Sequence, residues 1–118
     1  MPRAIVLYST LFLAAWFGLG WATDARAQSS ELPVFQVTAK DGRLSPGRIE
    51  VPAGKRIKLT IRNEGRGPVE FENLDLRLEK VLVPGSASFV VTPPLRPGVY
   101  IFIDEFHPDT GSMQLIAR

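Results

Sequence analysis

The chain has 118 residues, the size of a single domain. It carries 14 Lys+Arg against 12 Asp+Glu, one His and no Cys. The missing Cys rules out disulfides, thiolate metal ligands and a Cys nucleophile, and the near-balanced charge without a basic run gives no basis for nucleic-acid binding.

Residues 1–27 read as a secretory signal peptide. Arg3 supplies a positive start, Ala4 to Trp21 is almost wholly apolar, and Ala25-Arg26-Ala27 fits the small-x-small cleavage rule. Cleavage after Ala27 leaves 118 − 27 = 91 residues beginning at Gln28, so residues 28–118 form the domain. The same apolar run is long enough for a retained anchor, and the cleavage motif decides for removal. No Cys stands near that motif, which excludes a lipoprotein. The expected location is the periplasm, with no stable membrane insertion after cleavage.

Val34 to Ala39 is rich in β-formers and reads as a strand. Lys40-Asp41-Gly42 is a turn, and Arg48 to Val51 a short strand before the Pro52-Ala53-Gly54 turn. Arg56 to Arg62 is the cleanest alternation in the chain: Ile57, Leu59 and Ile61 share one face, and Arg56, Lys58, Thr60 and Arg62 the other. After a loop from Asn63 to Pro68, Val69 to Asn73 is another strand. Leu74 to Leu78 is ambiguous and fits a helical turn. Glu79 to Val83 and Ser88 to Thr92 follow as strands, separated by Pro84-Gly85. From Gly98 the chain alternates again, with Tyr100, Phe102 and Asp104 on one parity and Val99, Ile101 and Ile103 on the other. A Pro/Asp/Thr/Gly loop interrupts it, and Met113 to Ala117 closes the domain. Seven or eight short strands punctuated by Gly and Pro, with no helical period, predict an all-β, antiparallel β-sandwich.

Several segments resemble the cupredoxin-like domains, and most closely the EfeO-type, iron-transport-associated subgroup. They are Leu44 to Lys55, Ile61 to Gly65, Glu70 to Lys80, Pro84-Gly85, and Pro94 to Pro108. The resemblance implies a periplasmic Greek-key sandwich that handles a transition metal, iron or copper, beside a membrane iron permease or another periplasmic transport component. It also implies that His107, in the loop between the last two strands with Met113 six residues on, lies where small copper sandwiches place part of their metal site. A blue-copper centre needs two His and one Cys with a weak axial ligand. Here the first His would fall near Glu70 and the Cys near Asp104, so that redox centre is absent.

Two segments mirror each other. Glu70-Phe71-Glu72 places two carboxylates on one side of a strand, and Glu105-Phe106-His107 places a carboxylate and an imidazole on one side, if both are extended. The convergence of Glu70, Glu72, Glu105 and His107 would give three oxygen donors and one nitrogen, a set suited to iron, manganese, zinc or Cu(II). Phe71 and Phe106 would then be core pins beneath it. The competing reading leaves these charges on a solvated face. Met113 is assigned to the core before the metal, and Glu79 is either a further oxygen ligand or half of an edge charge pair with Lys80. No Ser/His/Asp arrangement, phosphate loop or zinc-hydrolase motif is present, so the expectation is a non-enzyme. The alternative function is a metal-free sandwich that docks on a permease or another periplasmic protein.

Overall fold

A computed structural model of the chain describes residues 31–118. The signal peptide expected over residues 1–27 lies outside the described residues. Nine strands and no helix make up the described part: β1 (Val34–Lys40), β2 (Arg43–Ser45), β3 (Arg48–Val51), β4 (Lys58–Asn63), β5 (Val69–Asn73), β6 (Leu78–Leu82), β7 (Ala87–Val91), β8 (Gly98–Asp104) and β9 (Ser112–Ala117). They form a four-stranded sheet in the order β2-β1-β4-β7 and a five-stranded sheet in the order β3-β9-β8-β5-β6.

The all-β sandwich is the expected one. Most of its pairings are antiparallel; β1 with β4 and β3 with β9 run parallel, so both sheets are mixed. The hairpin between β1 and β2 turns on Asp41 and Gly42, both with positive φ (47° and 81°). An Asp-Gly pair tolerates that geometry, which matches the twist of the flanking strands. β2 was not expected as a strand, because only Arg43, Leu44 and Ser45 separate that turn from Pro46.

The core lies between the sheets and follows the period of two. Ile57, just before β4, and Leu59 and Ile61 from the four-stranded sheet meet Phe71, Phe102, Met113 and Leu115 from the five-stranded one, all of them buried. Phe71 and Phe102 stack with ring centroids 4.9 Å apart and planes 16° from parallel. Met113 is thus core, as its apolar neighbours suggested. On β8 the inward parity is Phe102 and Asp104, which leaves Val99 and Ile101 exposed on the outer face. Leu74 to Arg77 is a turn, not a helix.

Phe106 departs from the expectation. It is 49% exposed, whereas Phe71 is fully buried. The strand ends at Asp104, and residues 105–110 fold into turns, so the alternation that would have buried Phe106 no longer applies.

Candidate metal centre on the outer sheet face

Asn73 fixes the register of the site. Its Oδ1 accepts from the Leu76 amide at 2.9 Å and its Nδ2 donates to the Ile101 carbonyl at 3.0 Å. These bonds shape the turn from β5 to β6 and set Asn73 opposite Leu78. Glu72 then stands opposite Glu79. Glu70, two residues back on the same face, is the diagonal neighbour of Glu79, within reach of a long side chain. Ligand oxygens of Glu70, Glu72 and Glu79 all lie within 4.8 Å of one another.

Glu105 joins from the turn just past the end of β8. Its amide donates to the Glu70 carbonyl at 2.8 Å, and its carboxyl shares a hydrogen bond with that of Glu72. A recess of about 260 Å³ lined by Glu72, Leu74, Ile101, Ile103 and Glu105 opens beside the cluster. Leu74 and Ile103 wall Glu72 in, and it is only 4% exposed although it points away from the core.

The electrostatics follow from this crowding. A hydrogen bond shared with Glu79 is the largest cause that pushes the Glu70 carboxyl up to about 7. Desolvation and the charges of Glu79, Glu72 and Glu105 act in the same direction. Burial raises Glu72 first, followed by its hydrogen bond with Glu105 and the charges of Glu105 and Glu79. Glu50, on the outer face of β3, shows the opposite case: Arg118 and Arg48 pair with it and pull its pKa down. No such cation reaches the cluster among the described residues. Carboxylates this close repel unless a proton or another cation sits between them.

The expected set of Glu70, Glu72, Glu105 and His107 is therefore only partly assembled. The three glutamates come together and Glu79 joins them, but His107 does not. Its Nδ1 lies 2.9 Å from Asp104 Oδ2, on a side chain of the inward parity. Glu105 and His107 part company because the chain turns between them. The Glu72–Glu79 pairing could have been found from the sequence, since a four-residue turn over Leu74 to Arg77 forces it.

A family model described as Cupredoxin-like domain matches residues 9–117. The chain belongs to this family. This cupredoxin-like chain is 31% identical over 116 residues to an uncharacterized protein of Rickettsia prowazekii (strain Madrid E), covering 98% of this chain and 93% of that one. Among solved structures it is similar in fold to a purple cupredoxin from Nitrosopumilus maritimus, with a TM-score of 0.55, 20% identity, and coverage of 70% of this chain and 98% of that one. It is also similar to auracyanin B, with a TM-score of 0.60, 16% identity, and coverage of 75% and 91%. The metal binding domain of the Streptococcus pneumoniae D39 Cu(I) exporting P-type ATPase gives a TM-score of 0.64 at 10% identity, covering 72% of this chain and 84% of that domain.

The residues of this cupredoxin-like chain do not fit a type 1 copper centre. There is no thiol anywhere in the chain. Asp104, near the expected Cys position, is 1% exposed and its oxygens are already engaged. The Nδ1 of the sole imidazole is engaged with it, and Met113 is held in the core. The carboxylate cluster fits a different class of ion. Oxygen donors favour hard cations, and without thiolate or thioether the set has no preference for Cu(I).

Proposed function

We propose that this chain is a metal-binding accessory protein of the periplasm. It handles iron or copper during uptake, without a type 1 copper site and without catalysis of its own. The observation that carries the reading is the convergence of the nearly buried Glu72 with Glu70 and Glu79, their ligand oxygens within 4.8 Å of one another. Glu70, Glu72 and Glu79 are the ligands, and Glu105 is the fourth oxygen donor at the rim. Such a set takes Fe(III), Mn(II), Zn(II) or Cu(II). The resemblance to the EfeO-type subgroup supports iron and a membrane permease as the partner, and the apolar leader supports export.

The test is thermal unfolding of metal-stripped protein with each of these ions. An ion at a hundred times its dissociation constant stabilises the fold by about 2.7 kcal/mol, roughly 10–20 °C for a domain of this size. Glu72→Gln and Glu79→Gln reduce the shift, and Glu31→Gln leaves it intact. The second reading is a metal-free docking module, favoured by the exposed Leu74 and Ile101 that line the recess beside the carboxylates. If no ion raises the melting temperature, or all variants respond as wild type, that reading replaces the first.

A further inference from the structure

We propose that the Asp104–His107 pair braces the end of the sandwich in the structural role of a metal ion, and that this end binds no metal. The resemblance places the metal of its copper relatives here, and the donors present are already spent on one another. Asp104 Oδ1 accepts from the amides of Glu70 and Phe106, each at 3.1 Å. Asp104 Oδ2 faces His107 Nδ1 at 2.9 Å. A carboxylate oxygen accepts, so Nδ1 carries the hydrogen and Nε2 is the free ring nitrogen.

These contacts join three separate stretches. Glu70 belongs to β5, Phe106 and His107 to the loop between β8 and β9, and the imidazole packs against the turn between β1 and β2. A Cβ on Gly42 would come within 2.9 Å of His107 Cδ2. Thr110 Oγ1 closes the same junction by donating to the Gly42 carbonyl at 2.6 Å. The loop is further held by the Asp104 amide on the Gly111 carbonyl at 2.7 Å and the His107 amide on the Asp104 carbonyl at 2.9 Å. One carboxylate and one imidazole therefore tie the two sheets together at this end, as a shared ion does between ligands from different strands.

A metal entering here would have to take Asp104 Oδ1 from two amides or Nδ1 from Asp104, leaving donors without partners. Nε2 offers a single nitrogen, and no group of three ligating side chains includes His107 among the described residues. The end is consequently the same with or without metal in solution. The inference does not rest on the carboxylate cluster binding an ion.

The test uses ¹⁵N-labelled, EDTA-treated protein with Zn(II), and separately Cu(I), added to one equivalent. Since His107 is the sole histidine, its ring nitrogens give one unambiguous set of signals. The expected result is the Nδ1-protonated tautomer, slow amide exchange at Glu70 and Phe106 before any metal is added, and no coordination shift afterwards. His107→Ala should speed exchange at those two amides about tenfold, as expected for the loss of a charge-assisted hydrogen bond. Asp104→Asn keeps an oxygen for the amides, so it should retain their protection while releasing the tautomer. Protection that appears only after metal addition overturns the proposal, and so does a coordination shift on either ring nitrogen. A failure of Fe(III), Mn(II), Zn(II) and Cu(II) alike to raise the melting temperature overturns the carboxylate reading and leaves the brace standing.

Discussion

Removing the Phe71 ring gives the sharpest check on the fold that carries the site. Phe71 is fully buried and stacked on Phe102. Truncation of a core Phe to Ala costs about 3–5 kcal/mol, of which the aromatic pair accounts for about 0.5–1.5 kcal/mol. Phe106 is 49% exposed, so Phe106→Ala removes about half the burial of a side chain worth roughly 1.5–3 kcal/mol in full, near 1 kcal/mol. The two variants should therefore differ by about 2–4 kcal/mol, although the sequence presents both rings in mirrored settings. Urea unfolding followed by far-UV circular dichroism measures this. With a slope of about 1–1.5 kcal/mol per molar, Phe71→Ala should lower the midpoint by roughly 2–5 M and Phe106→Ala by about 1 M or less. Equal losses would refute the assignment of the strand end to Asp104.

The crowded carboxylates give a pH dependence of definite sign. The folded-state pKa of Glu70 lies above its ordinary value of 4.5, at about 7, so the folded chain holds a proton that the unfolded chain has released. That contribution is complete below about pH 4.5 and disappears as pH rises through about 7, with Glu72 adding in the same direction. Through this group, metal-free protein should melt lower near pH 8 than near pH 5, and Glu70→Gln should flatten the slope; an unchanged slope in the variant counts against the cluster. For the leader, intact-mass measurement of the periplasmic fraction should give a chain of 91 residues beginning at Gln28, and a full-length mass there contradicts cleavage.

The strands with clean alternation were legible from their side chains alone. Ile57, Leu59 and Ile61 are buried as their spacing requires, and β3 and β5 have the expected bounds. Local pattern succeeded there because burial of one face dictates the period. β2 was missed since three residues are too few to show a period. The site was legible only in part, for a different reason. Glu70 and Glu72 share a face by parity, but which residues stand across from them depends on the turn that Asn73 builds. His107 was misplaced because a period of two was carried past Asp104, where the backbone leaves the strand. Asp104 itself sits on the inward parity, yet nothing in the residue order reveals that two amides and an imidazole converge on it.

The parallel pairing of β3 with β9 bears on how the chain reaches this structure. Arg48 stands beside Gln114 and Val51 beside Ala117, so partners in one ladder are separated by most of the domain. β9 also lies between β3 and β8. A chain that has emerged only as far as residue 111 can form the β5–β6 hairpin, but it leaves β3 and β8 with no strand between them. Closure of the larger sheet therefore waits for the last strand, and the entropy of a long loop must be overcome before that ladder returns any energy. Sandwiches dominated by such distant contacts fold in about milliseconds to seconds. Until β9 is in place, β3 has no partner in its sheet and β8 presents an open edge.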